Sequence, residues 1–189
     1  MDRGREDEAG AGAPRLDLAA YVPALLTFLA NKLTRTGSAL YRARFGVGIT
    51  EWRILSLLAL EPGITANRIC QVIGFDKGPV SRSVAFLADR DLVTVETDAA
   101  DARRHRITLT AAGLALHDRI IRVALERERR LLAPLSPEER RVLVGLLNRL
   151  HDNLGAVSAP IPDVPPVTPP GRERLPAHPR ASSTKARDG

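Results

Sequence analysis

The chain has a single cysteine, Cys70, so no disulfide can close within it, and that usage fits a reducing compartment. Aromatic residues make up only 4% of its 189 residues, so a core has to be built from Leu, Val, Ile and Ala. Lysine is nearly absent. Of 28 basic residues only Lys32, Lys77 and Lys185 are lysines, and arginine carries the positive character. Long apolar runs are missing as well, because Thr27, Asn31 and Arg53 interrupt the best stretches, so no membrane span is expected. The N-terminal MDRGREDEAGAGAP has no apolar h-region, which makes a secretory leader unexpected and a cytoplasmic location the expectation. His105, His117, His151 and His178 lack ligand spacing, so neither a metal nor another cofactor is expected. No nucleophile–base pair, paired carboxylates or phosphate-cradling glycine loop stands at a usable spacing, which argues against an enzyme.

What is present supports one domain with two tails. The hydrophobic content is 44% and the formal net charge is +6, which leans toward an anionic partner. Residues 1–15 are Gly, Ala and charge, and read as a flexible arm. Residues 158–189 are rich in Pro without clustered large apolar side chains. They cannot bury enough surface to offset their ordering entropy and read as a disordered tail.

Between the tails, over 16–157, the pattern is mainly helical. Asp17 is the expected N-cap of a long helix reaching about Tyr41, with Pro23 in its first turn and Gly46 and Gly48 ending the segment. Thr50 is expected to cap a helix through Trp52, Leu55 and Leu58, stopped at Glu61-Pro62-Gly63. Thr65 caps ANRICQVI, and Gly74 closes it. Asp76 is expected to cap a helix to about Arg90 with its apolar face on Val80, Val84, Leu87 and Ala88. The period then changes to two: 92–96 and 104–109 read as a β-hairpin. Thr110 caps a long helix to about Leu132. Ser136-Pro137-Glu138-Glu139 is a capping box opening a last helix with Val142, Leu143, Leu146, Leu147 and Leu150. A short helix, a tight turn, a helix and a hairpin make a winged helix-turn-helix. The fold class is therefore mainly α (α+β), with a reading head at about 50–110 and long flanking dimerisation helices at about 17–45 and 111–155.

Three motifs stand in register. Asp76, Lys77, Gly78, Ser81, Arg82 and Leu87 lie on the turn and second helix. Asp101-Ala102-Arg103 lies at the hairpin, and Leu109-Thr110-Ala111-Ala112-Gly113 follows it. Over about 17–155 the chain resembles the multiple antibiotic resistance regulator (MarR) family of bacterial transcription regulators. The resemblance implies a DNA-binding, ligand-responsive repressor that grips an inverted-repeat operator in double-stranded DNA as a homodimer, with two heads about 34 Å apart. A winged-helix protein-interaction module without sequence-specific DNA binding is the alternative, and loss of the cation pattern would mark it.

The residue chemistry fits the DNA reading. Lys77, Gly78, Ser81 and Arg82 occupy the first stretch of the recognition helix, where side chains face base edges. Arg82 suits guanine O6 and N7, and Ser81 a base or a phosphate. Arg103 at the hairpin tip suits a minor groove, with Asp101 bracing the wing, while Arg104 and Arg106 are expected at phosphates or solvent. Leu143, Leu146, Leu147 and Leu150 are the candidate dimer interface. The resemblance also implies a small aromatic or phenolic effector between dimer layer and head. Tyr21, Phe28, Trp52 and Arg53 could line such a crevice, but each has an ordinary core or surface role, and its ligand residues stay unassigned. Cys70 is expected to be an inert core thiol. Three positions depart from the family pattern: Asp91 where Gly is usual, Val95 where a basic residue is common, and Phe86 where a polar one is common. With Glu96 and Asp98 they make the head less positive.

Overall fold

A computed structural model describes residues 15–98 and 101–161, the side chains of residues 102 and 103 excepted. Most of the expected flexible arm and of the Pro-rich tail lies outside the described residues. The chain divides into two compact units, the first ending at Pro134 and the second beginning at Leu135.

The first unit opens with α1 (Val22–Phe45), five residues after the expected cap. Asp17 instead closes a turn: its Oδ1 accepts the Ala19 N–H at 2.9 Å and its carbonyl accepts the Tyr21 N–H. Pro23 explains the difference. A helix capped at Asp17 would carry Pro23 beyond its first turn, where the ring clashes with a carbonyl and a hydrogen bond is missing. Gly46, at φ 72°, ends α1 in the left-handed region.

Next comes α2 (Ile49–Leu60), capped by Gly48 and not by Thr50, which lies inside it. The stabilising contact is Glu51 Oε2 accepting the Gly48 N–H at 2.9 Å. In α3 (Ala66–Ile73) the sequence expectation holds at both ends. Thr65 accepts the Arg68 N–H, and Gly74 adopts φ 69°. The next helix, α4 (Lys77–Ala88), has Asp76 at its N-cap position, yet that side chain accepts no helix N–H. Pro79 sits at the third helical position, so one of the two donors an N-cap side chain normally takes does not exist. The helix ends two residues before the expected Arg90, in a turn where the Leu92 N–H reaches the Leu87 carbonyl at 3.0 Å. Asp91 holds the left-handed position of that turn at φ 53°.

The hairpin is longer than its apolar alternation suggested. It pairs β1 (Val93–Asp98) antiparallel with β2 (Asp101–Leu109), with an irregularity between Thr97 and Asp98. An isolated bridge ties Ile64 to Ile107, fastening the α2–α3 turn to β2. Thr110 then caps α5 (Ala111–Leu131), accepting the Gly113 N–H at 3.0 Å and donating to the Asp91 carbonyl at 2.5 Å. Gly113 is required there, because a Cβ would run into the Leu92 carbonyl. The Leu-Thr-x-x-Gly motif thus has a local cause: Thr caps the helix and Gly lets it sit against the end of the wing.

The core lies in this first unit. Val47, Ile54, Leu55, Leu58, Ile69, Val80, Leu87, Ile107 and Ile120 are almost wholly buried, and Val84 and Val93 join them. Cys70 is half-buried and packs against this cluster. In the second unit α6 (Pro137–Asp152) starts with the expected capping box: Ser136 accepts the Glu139 N–H and Glu139 accepts the Ser136 N–H. A four-residue α7 (Leu154–Val157) follows. Neither of these helices has a buried residue. Among the described residues no helix is long and apolar enough to cross a membrane.

Candidate nucleic-acid interface

One side of α4 turns Val80, Val84 and Leu87 into the core. The other side exposes Lys77, Gly78, Ser81, Arg82, Ala85 and Asp89. Around Arg82 this face carries only small side chains (Gly78, Ser81, Ala85), so the helix backbone can approach another surface closely while one guanidinium projects from it. The absence of a capping side chain at Asp76 leaves the first N–H groups of α4 available to an anion. One turn further on, Phe86 is half-buried. The Arg90 guanidinium stacks on its ring at 3.6 Å and donates to its carbonyl, so the aromatic departure from the family pattern is covered by a cation.

Ser83, on the inner side of α4, donates to Glu51 Oε1 at 2.6 Å. Glu51 also holds the Gly48 N–H, so one carboxylate joins the start of α2 to the recognition helix. Nothing in the local sequence around Glu51 signals a partner 32 residues away.

The wing arginines are placed individually. Arg106 Nε and Nη2 both lie 2.8 Å from Asp98 Oδ2, and Nη1 donates to the Gly63 carbonyl at 3.3 Å. Arg106 therefore braces the wing against the α2–α3 turn while remaining largely exposed. Arg104 is exposed, with Nε 3.4 Å from the Asp101 carboxylate. The Arg103 side chain lies outside the described residues. His105 is exposed on β2, pairing with Thr97. Between α3 and the wing runs a groove of about 360 Å³, lined by Thr65, Asn67, Arg68, Gln71, Lys77, Arg104 and His105. Arg68 there makes a two-point ion pair with Glu61, both contacts 2.8 Å, which holds the Glu61 carboxyl below its usual range.

A second concavity of about 520 Å³ lies between α1, α2 and α5. Leu33, Leu40, Ile49 and Leu131 give it apolar walls, and Arg53, Arg127 and Arg130 give it three cations against one carboxylate, Glu128. Arg53 Nη2 donates to Thr34 Oγ1 at 3.1 Å, and Arg127 Nη2 to Thr36 Oγ1 at 3.2 Å. Of the aromatic and basic residues singled out in the sequence, only Arg53 lines this cleft. Trp52 packs between Tyr41 and His117, with ring centroids 6.0 and 5.4 Å away. Tyr21, at the N-cap of α1, and Phe28, in its first half, are exposed. Arg127 also lies over the Tyr41 ring. Burial raises the Tyr41 hydroxyl above its ordinary range, and the Arg127 charge opposes that shift. Nothing in its local sequence singles out Arg127, since its hydrogen-bond partners on α1, Leu33 and Thr36, lie more than 90 residues away.

Leu146, Leu147 and Leu150 on α6 are all at least 40% exposed, whereas Leu143 is half-buried.

The MarR family model matches residues 45–104, which run from the end of α1 into β2. A solved MarR/EmrR family transcriptional regulator from Acinetobacter sp. ADP1 is 33% identical, with a TM-score of 0.70 over 75% of this chain and 99% of that one. The PcaV transcriptional regulator from Streptomyces coelicolor, solved in complex with its natural ligand, is 26% identical, with a TM-score of 0.61 over 74% of this chain and 98% of that one. A Thauera aromatica protein named for regulation of the hcr operon is 28% identical over 98 residues, 52% of this chain. The match spans 59% of that protein's length.

Proposed function

This chain belongs to the MarR family of transcriptional regulators, and on that premise we propose that it is a repressor that binds an inverted-repeat operator as a homodimer and releases it when a small anionic aromatic compound binds. It is a regulator, not an enzyme. The observation that carries the proposal is the outer face of α4: Lys77, Gly78, Ser81 and Arg82 are exposed together on a helix whose other side is locked into the core. Set in a major groove, that face offers one bidentate guanine reader, Arg82, and a backbone close enough for Ser81 to reach a base or phosphate. Arg103 is assigned to the neighbouring minor groove, on a wing where Asp101 and Arg104 pair. Arg106, tied to Asp98, sets the height of the wing and contributes charge to the phosphates.

The exposed leucines of α6 and the apolar first half of α1 supply the dimer layer. The effector's place is the α1–α2–α5 cleft. Its apolar walls suit a ring, and Arg53 and Arg127 suit a carboxylate. PcaV, similar to this chain, was solved with its natural ligand, which makes ligand response a reasonable property to carry over. A ligand there can act only by favouring a head spacing that the operator does not match.

The test is fluorescence anisotropy on the duplex upstream of the protein's own coding sequence, against scrambled competitor. Competitor-resistant binding by two protomers per site supports the reading. Arg82→Ala should then cost about 1–3 kcal/mol and relax preference at one base pair. Binding that ignores sequence on every genomic fragment would favour the protein-interaction alternative.

A further inference from the structure

We propose that Glu51 is a positioning residue for base reading: from the start of α2, its carboxylate fixes the rotation of α4 through Ser83 and so sets where Ser81 and Arg82 meet the bases. This rests on the DNA-binding reading of α4. It concerns sequence selectivity, which an exposed face alone does not secure.

The core contacts of α4 leave one thing unfixed. Val80, Val84 and Leu87 are buried along a single stripe. Apolar burial is non-directional, so such a stripe holds the helix down while leaving small rotations and slides cheap. A bidentate guanine contact tolerates little of either, because its bonds weaken outside a narrow range of distance and angle. Ser83 lies on the same inner side. It is 8% exposed, the only buried polar side chain among the described residues. Alanine there would fill nearly the same space with no polar group to satisfy. The serine instead donates to Glu51 Oε1 at 2.6 Å, a directional bond that Val80, Val84 and Leu87 cannot supply. Ser83 follows Arg82 directly and stands two residues from Ser81. Fixing its direction therefore fixes theirs, about 100° and 200° around the helix.

The other end of the tie is itself held. Glu51 Oε2 accepts the Gly48 N–H at 2.9 Å, so both carboxylate oxygens are engaged and the side chain does not simply follow α4. The space around it is shaped to match. Gly48 has an ordinary extended backbone, yet it is buried, and a Cβ on it would stand 2.7 Å from Glu51 Oε2. The same Cβ would stand 3.2 Å from an Arg42 guanidinium nitrogen. Glycine leaves that room to the carboxylate and to Arg42, which comes from the last turn of α1.

Two affinities separate positioning from folding. The full wild-type chain selects a preferred duplex from a random-sequence pool, and each variant is then measured on that duplex and on a random-sequence one. Phosphate contacts are blind to sequence, so the random duplex reports them alone. Glu51→Ala and Ser83→Ala should lower the ratio of the two affinities about tenfold for each head, the scale of one lost bidentate base contact. Affinity for the random duplex and its salt slope should not change. Glu51→Gln should keep the ratio within about twofold of wild type. Its amide can donate to the Ser83 hydroxyl, which also accepts, while its carbonyl still takes the Gly48 N–H. Gly48→Ala should reproduce the loss without altering either partner, since the added methyl displaces the carboxylate. It and Ser83→Ala carry the test if Glu51→Ala fails to fold. Leu58→Ala, a buried change about two turns along α2 from Glu51, should lower stability and leave the ratio alone. A ratio that stays at the wild-type value in Ser83→Ala and Gly48→Ala, or that falls as far in Leu58→Ala, would overturn the positioning role while leaving operator binding standing. A wild-type chain that selects no sequence from the pool would take down the DNA reading and the positioning role together.

Discussion

The reading head and the outer helices solve the burial problem in opposite ways. In the head, short helices of eight to twelve residues and a two-stranded hairpin hide Ile54, Leu55, Leu58, Ile69, Val80, Leu87 and Ile107 almost completely. Along the first half of α1, Leu25, Leu26, Phe28 and Leu29 remain 41–49% exposed, and on α6 Val142, Leu146, Leu147 and Leu150 remain 40–51% exposed. These helices are longer and just as rich in leucine, so composition is not what separates them. The head closes its core with its own residues; the outer helices present apolar faces that a single chain leaves in water. Burying such side chains is worth about 1.5–3 kcal/mol each, so a face of this kind marks where another surface belongs.

The comparison breaks most visibly if the outer faces are charged. Leu147→Glu should convert a dimer into monomers in sedimentation while leaving the head folded. Operator affinity should then fall by about a hundredfold or more, because two linked heads act at high effective concentration and one does not. A Leu147→Glu chain that stays dimeric removes that face from the interface. The converse substitution lies in the head. Leu58→Ala should cost about 2–5 kcal/mol in denaturant unfolding, since the cavity it leaves is enclosed. Leu60→Ala, two residues on and 82% exposed, should cost almost nothing. If the two cost the same, burial within the head is not what holds it.

How much of this was legible in the sequence follows the distance between partners. The caps at Thr65, Thr110 and Ser136 are made within three residues, and each was readable from its letters alone. The expected cap at Asp17 failed because Pro23 outweighs it, and that at Thr50 failed because Glu51, one residue on, already serves Gly48. What the sequence could not show are contacts between elements: Glu51 with Ser83, Arg127 with α1, and the groove that gathers α3, Lys77 and the wing. The α1–α2–α5 cleft is of the same kind, since its residues come from three separated helices and share no local pattern. The recognition helix was readable because its apolar face repeats at helical spacing, which leaves Ser81 and Arg82 to the opposite face.

A smaller effect sharpens the contrast at the joint between head and α5. Gly113→Ala would place a methyl group against the Leu92 carbonyl, a backbone atom that cannot swing aside as a side-chain tip can. The cost should be about 1–3 kcal/mol, typical of overpacking. It should be read as a lower melting temperature with dimer mass unchanged, since the contact lies wholly within the first unit. Gly145→Ala is the matched control on α6. A Cβ there meets nothing, and replacing Gly inside a helix should stabilise by about 0.5–1 kcal/mol.

The smallest effect concerns Asp91, the departure from the family pattern that the structure explains in part. Its φ of 53° is a conformation in which a side chain costs energy and glycine does not. It also stands just past the end of α4, where a carboxylate meets the negative end of the helix dipole. Both terms favour glycine, and the greater freedom of glycine in the unfolded chain opposes them. The balance predicts that Asp91→Gly raises stability by about 1 kcal/mol. Asp91→Asn separates the contributions, because asparagine tolerates the left-handed region much as aspartate does but carries no charge. If Asn gains as much as Gly, the dipole accounts for the gain, and the strain that Gly relieves is offset by its greater freedom in the unfolded chain. If Asn gains nothing, the backbone is the whole effect. An intermediate value, which is the expectation, means the head tolerates two small costs at the one point where α4, β1 and the Thr110 cap converge.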